Sequence, residues 1–117
     1  MFKYKLISDE KIDFPRCKVV CAGRNYVEHI KELEHSQTNT PVLFMKPFTA
    51  LCNLEDKIII PDYGDSFEHE VEIAVLIGKE IKNVSEKVAE SSILGYGLAL
   101  DLTLRDIQKS QADNGLP

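Results

Sequence analysis

Polar and apolar residues alternate most sharply in HEVEIAVLIGKEI, which begins at His69 and carries the strongest strand signal of the chain. Side chains two apart on a strand share a face, so Glu70 and Glu72 project together while Val71 and Ile73 turn to the other side. KVVCAG at 18–23 reads as a short buried strand closed by a glycine, and PVLFMKP at 41–47 as a strand bounded by prolines. The isoleucines at 58–60 predict a second short strand after a polar turn, and YGLALD at 96–101 another buried one. Helical spacing links Tyr26, Ile30 and Leu33, with Asn25 as the cap. NVSEKVAESSILG predicts a short helix capped by Asn83 or Ser85 and stopped by Gly95. In TLRDIQKSQADNG, Thr103 and Asp106 suit a capping arrangement and Gly115 the C-terminal stop. The stretch through Arg16 mixes charge with aromatics and suits a short hairpin or arm. Strands with three short helices predict a β-rich α+β fold. NGLP follows the last helix directly, so the hydrophobic runs need partners from another copy or from a longer polypeptide.

Composition narrows the function more than the fold. The 117 residues match one ordinary domain in size, and 44% hydrophobic content supports a core. A net charge of -5 argues against wrapping nucleic acid or an anionic membrane. No stretch approaches a membrane span, and the charged start lacks the apolar run of a signal peptide, which together predict a cytoplasmic protein. Cys17, Cys21 and Cys52 are odd in number and form no Cys-x-x-Cys pair, so neither a disulfide framework nor a zinc site is expected; Cys17 and Cys21 read as buried, inert thiols.

The chemistry gathers around carboxylates. Glu70 and Glu72 repel if left alone on one face, and a divalent cation removes the conflict; hard oxygen donors suit Mg²⁺, Mn²⁺ or Ca²⁺ better than zinc. The bland alternative is a solvated strand edge. Asp101 ends an apolar run just before a helix, where a functional carboxylate or a plain cap both fit. Three such carboxylates make a facial metal set with open positions. Arg105 and Gln108 share a helix face near its N-terminus, which favours an anion such as an α-keto carboxylate; the alternative for Arg105 is a surface ion pair. His29 and Glu32, three apart on the first predicted helix, make a general-base pair or an ordinary surface pair. His69 faces away from the glutamates, and His35 reads as solvated.

CAGRNYVEHIKEL, PVLFMKP, HEVEIAVLIGKEI and GYGLALDLTLRDIQ, in this order and spacing, resemble the fumarylacetoacetate hydrolase superfamily. The likeness is to its small single-domain members: acylpyruvate hydrolases, oxaloacetate decarboxylases and isomerase/decarboxylases of aromatic catabolism. The resemblance implies a sheet-and-barrel fold, incomplete in this chain. Residues 1–17 would be an arm or hairpin, and 18–117 the N-terminal portion of a catalytic domain. It further implies that Glu70, Glu72 and Asp101 hold Mg²⁺ or Mn²⁺ and that His29 and Glu32 form a water-activating dyad on a lid helix. Arg24, Lys46, Arg105 and Gln108 would hold the substrate's carboxylate and keto groups, in a homodimer. Many relatives carry a second histidine where this chain has Glu68. The implied reaction is metal-dependent hydrolysis or decarboxylation of a β-diketo acid or β-keto diacid, such as an acylpyruvate or oxaloacetate, through an enolate. The alternatives are a keto–enol tautomerase or isomerase, a non-catalytic half-domain, or a plain divalent-cation binder.

Overall fold

The computed structural model describes residues 4–5, 7–8, 11–12, 17–26 and 40–116. The chain divides into two compact units, Met1–Ile59 and Ile60–Pro117.

The first unit holds two antiparallel ribbons. β1 (Tyr4–Lys5) pairs with β2 (Lys11–Ile12). β3 (Val19–Gly23) pairs with β4 (Val42–Lys46), in a register that sets Val19 across from Lys46 and Gly23 across from Val42. Pro47 ends β4, and a single 3₁₀ turn, Phe48–Ala50, follows. The polar turn is real: the Asn53 side-chain amide donates to Asp56 at 2.7 Å. The strand expected at 58–60 does not form. No described segment supplies these residues with a ladder, and Ile59 stays 84% exposed. Cys17 and Cys52 are exposed and Cys21 half-buried, none of them in a disulfide, so the expectation of buried cysteines at 17 and 21 is corrected.

The second unit is a long antiparallel ribbon with a helix at each end of its second strand. β5 (Phe67–Ile77) and β6 (Ile93–Leu104) pair along their whole length; α1 (Glu86–Glu90) lies in the connection, and α2 (Arg105–Asp113) leaves β6 without a break. α1 stops earlier than predicted. The hydroxyls of Ser91 and Ser92 both donate to the Val88 carbonyl and end the helix, which frees Gly95 to enter β6 opposite Leu76. One register shift, between Leu76 and Ile77, leaves Leu94 as the extra residue of a bulge. Gly78 accommodates it, because a Cβ there would stand 2.9 Å from the Cβ of Leu94. Gly115, at φ 72°, stops α2 as predicted.

The register sorts the ribbon into two faces. Glu68, Glu70, Glu72 and Ala74 lie with Thr103, Asp101, Ala99 and Gly97 on one; Val71, Ile73 and Val75 lie with Leu100, Leu98 and Tyr96 on the other. The apolar face is open: Val71, Ile73 and Leu98 are 60%, 62% and 73% exposed. Among the described residues no hydrophobic side chain is buried, and Ser92 alone is. The sheet-rich α+β class is as expected, and among the described residues the strands form three two-stranded sheets and no closed barrel, in keeping with a sheet-and-barrel fold incomplete in this chain.

Gly64 fixes the approach to β5. Its φ of +86° suits glycine, and a Cβ would meet Leu104 Cδ2 at 3.0 Å. Gly64→Ala is expected to cost about 1–2 kcal/mol from backbone strain alone. Gly97→Ala, with nothing within 4 Å of the added methyl, is expected to stay within about 0.5 kcal/mol of the parent. Chemical denaturation followed by circular dichroism compares the two.

Candidate active site

Strand register builds the centre of the site. Glu70 stands directly across from Asp101, and Glu72 follows on the same face, diagonal to Asp101. Like charges placed directly opposite each other destabilise a ribbon, so this face carries an electrostatic cost that a cation relieves. His69 pairs with Leu102 on the opposite face, away from the carboxylates, as the alternation predicted.

α2 brings a cation to them. Arg105 is its first residue, anchored by its backbone N–H donating to the Ser66 carbonyl at 2.8 Å. Its guanidinium is spread over three partners. Nη2 pairs with Glu70 Oε1 at 2.6 Å, Nε donates to Glu68 Oε2 at 3.0 Å, and Nη1 donates to Gln108 Oε1 at 2.6 Å. The Arg105 and Glu70 side chains are only 21% and 23% exposed, so this pair is screened less than a surface ion pair. Burial opposes the charge on Arg105, but hydrogen bonds to Glu70 and Glu68 outweigh it and raise its pKa. Glu68, half exposed, is held below the usual carboxylate range by its hydrogen bond from Arg105 and a second from the Ser66 hydroxyl.

Asp106 does not take the expected capping role. β6 runs on through Leu104, which takes the cap position, and the Thr103 hydroxyl donates to the Asp101 carbonyl and accepts no N–H from the helix. The Asp106 carboxylate reaches back across the chain and accepts the backbone N–H groups of Asp65 at 2.9 Å and Ser66 at 3.4 Å. It thereby ties the loop before β5 to the start of α2. Sequence reasoning missed this tie, since the partners lie about forty residues apart and no local pattern links them. The pairing of Glu68 with Arg105 was missed for the same reason.

Arg24 and Lys46 belong to the first unit. Arg24 follows β3 in a left-handed conformation, φ 54°, and Lys46 ends β4. The register puts them at opposite ends of the β3–β4 ribbon, so that ribbon does not bring them together. His29 and Glu32 lie outside the described residues.

The model of the fumarylacetoacetate (FAA) hydrolase C-terminal family matches residues 18–116. The chain belongs to the fumarylacetoacetate hydrolase family. Within it, the chain is similar to the oxaloacetate tautomerase YcgM of Escherichia coli (strain K12), with 49% identity over 106 residues that cover 91% of this chain and 48% of the relative. A fumarylacetoacetate hydrolase family protein from Yersinia pestis CO92 superposes with a TM-score of 0.92 at 46% identity, over 99% of this chain and 54% of that one. The fumarylpyruvate hydrolase of Pseudomonas aeruginosa, solved in complex with Mn²⁺ and pyruvate, gives a TM-score of 0.82 at 31% identity, over 97% of this chain and 50% of that one. The chain thus spans about half the length of the relatives it matches.

The donor set fits a hard divalent cation, being three carboxylates on one face with a guanidinium already drawn to one of them. As the side chains stand, no three His, Cys, Asp or Glu residues among those described gather closely enough to hold a metal.

The tie at Asp106 has a pH signature. Its carboxyl is held below the usual range, first by the Asp65 N–H, so the tie is intact above the ordinary aspartate pKa and loosens as pH falls through the depressed value. The Asp65 amide resonance is expected to titrate below the ordinary aspartate range of about 4, and Asp106→Asn is expected to remove that titration.

Proposed function

We propose that this chain supplies the cation- and carboxylate-binding half of an enzyme acting on β-keto acids, with keto–enol tautomerisation of an oxaloacetate-like diacid as the first assignment. One observation carries the proposal: Glu70 lies opposite Asp101, with Glu72 on the same face and Arg105 and Gln108 at the start of the next helix. The tautomerase assignment takes precedence over the hydrolase and decarboxylase assignments expected from sequence because the relative at 49% identity is an oxaloacetate tautomerase.

Glu70, Glu72 and Asp101 would hold Mg²⁺ or Mn²⁺, with Ca²⁺ as the other hard cation that suits them. When bound, such an ion supplies Lewis acidity at a keto oxygen and stabilises negative charge that develops there. Arg105 and Gln108, on the first turn of α2, would receive a substrate carboxylate, aided by the helix N-terminus. Arg24 and Lys46 are the further cationic candidates for the substrate's keto and carboxylate groups. Moving a proton between enol oxygen and carbon needs a base that works near neutrality. His29, oriented by Glu32, has the chemistry for it.

The likeness to a fumarylpyruvate hydrolase solved with Mn²⁺ and pyruvate supports a second assignment, hydrolysis of an acylpyruvate. There His29 and Glu32 would deprotonate the attacking water. A homodimer belongs to both proposals.

Two measurements test them. Calorimetric titration of Mn²⁺ into the chain is expected to show binding that Glu70→Gln, Glu72→Gln and Asp101→Asn each weaken by about tenfold or more, roughly 1.4 kcal/mol. Assays with Mn²⁺ are expected to show faster ketonisation of enol-oxaloacetate, abolished by Asp101→Asn. Turnover of an acylpyruvate alone would favour the hydrolase, and Mn²⁺ binding with no turnover would reduce the chain to a cation binder. His29→Ala is expected to abolish hydrolysis while sparing decarboxylation; no effect on either removes the dyad from the mechanism.

A further inference from the structure

Arg105 holds two carboxylates that differ in kind. Glu70 belongs to the proposed cation set, whereas Glu68 lies two residues before it on the same face, opposite Thr103, and is outside that set. Glu68 is itself fastened. Its Oε1 accepts the Ser66 hydroxyl at 3.1 Å, and Ser66 is also the residue whose carbonyl holds the Arg105 backbone N–H and whose own N–H reaches Asp106. The Nε edge of the guanidinium and the backbone it grows from are thus tied to one short segment. The Nη2 edge, on Glu70, is tied to a side chain that a metal ion would claim.

We infer that Arg105 and a divalent cation exchange places on Glu70. Without the cation, Nη2 of Arg105 neutralises Glu70. With the cation on Glu70, Nη2 is released, while Glu68 keeps its hold on Nε and prevents the guanidinium from swinging away into solvent. The freed edge then faces the cation site with an unused N–H donor for a carboxylate. Glu68 acts here as a positioning residue, because its side chain hydrogen-bonds to Arg105 and Ser66 and lies outside the proposed cation set.

The electrostatics favour this order of events. A divalent ion carries twice the charge of a guanidinium and concentrates it, so it wins the shared oxygen once it has shed water for the carboxylate set. Release of Nη2 from Glu70 leaves an N–H donor that a second anion satisfies, and the substrate carboxylate is that anion. Cation binding and carboxylate binding are therefore coupled, and by linkage each strengthens the other by the same factor. Glu68 sets the balance. Its charge draws Arg105 away from Glu70 and lowers the barrier to exchange. A neutral residue in its place leaves Arg105 wholly to Glu70.

The inference rests on the cation site proposed above, and one experiment separates the two. In the chain labelled with ¹⁵N-arginine, the Arg105 Nε–H and Nη–H resonances are followed as Mg²⁺ is added, and then as oxalate is added as a small dicarboxylate probe. The expected result is a persistent Nε–H signal throughout. The Nη2–H signals, shifted by the Glu70 carboxylate without Mg²⁺, are expected to move when Mg²⁺ saturates and to move again with oxalate, while those of Nη1, held by Gln108, stay in place. Nη2–H signals unchanged at saturating Mg²⁺, or an Nε–H signal lost on Mg²⁺ binding, overturn the exchange while leaving the cation site standing. Failure of Mg²⁺ to bind at all overturns both.

Two variants read the same balance without turnover. Arg105→Gln removes the competitor and is expected to tighten Mg²⁺ binding about threefold or more in the absence of any anion, and to lower the coupling to oxalate. Glu68→Gln is expected to weaken Mg²⁺ binding by a similar factor and to broaden the Nε–H signal through solvent exchange. Weaker Mg²⁺ binding in Arg105→Gln, or an undisturbed Nε–H signal in Glu68→Gln, counts against the exchange.

Discussion

Glu70 faces Asp101 across two antiparallel strands, and the rest of the candidate site is arranged around that opposition. Two carboxylates held in register repel, and neither strand can move one away without giving up its ladder. Positive charge eases the conflict. The fold supplies Arg105 at the first residue of the helix that continues β6, so the strand that creates the repulsion also delivers its remedy. The same register that unites the carboxylates on one face collects Val71, Ile73, Leu98 and Leu100 on the other. Each such side chain gains roughly 1.5–3 kcal/mol when fully covered, and none is covered here. About half of each matched relative has no counterpart in this chain, and the open face is the place in this unit where such material has most to gain by packing.

The start of α2 is a junction more than a helix end. Ser66 contributes a carbonyl to the Arg105 backbone, a hydroxyl to Glu68 and an N–H to Asp106. Gly64 allows the loop to turn close against Leu104. A short loop and one helical turn therefore share a single hydrogen-bond network, and the guanidinium sits inside it. Ser66, Asp106 and Gly64, none of them a candidate for the chemistry, help to fix where Arg105 stands.

How much of this was legible follows from the range of each interaction. The strand at 67–77 was plain because alternation is a local signal, and the shared face of Glu70 and Glu72 followed from it at once. Asp101 was legible as a strand-end carboxylate, but its position directly opposite Glu70 was not, since register is a property of two strands. Arg105 and Gln108 were read correctly as neighbours on one helical face, and they do touch. The bland alternative of an ion pair for Arg105 also holds, with Glu68 and Glu70 as its acids. Thr103 and Asp106 carried the spacing of a cap and made none, because the helix begins at Arg105 with Leu104 in the cap position, one residue past Thr103. The isoleucines at 58–60 had the composition of a strand but no described ladder partner, and composition alone does not make one.

The bulge beside Gly78 bears on how a ribbon like this tolerates changes of length. A one-residue insertion on either strand reverses the face of every side chain beyond it, so the ribbon obeys a rule of parity. Where the two strands fall out of step, with Leu94 as the additional residue, the mismatch sits next to the connection, past Leu76, and all the carboxylates lie on the in-step side of it. An odd residue is absorbed there at little chemical consequence. The same residue placed between Thr103 and Ala99 would turn Asp101 toward the apolar face and leave Glu70 opposite a hydrophobe. The connecting end of the ribbon is thus free to drift in length over evolutionary time, while the end that meets α2 is locked to its count.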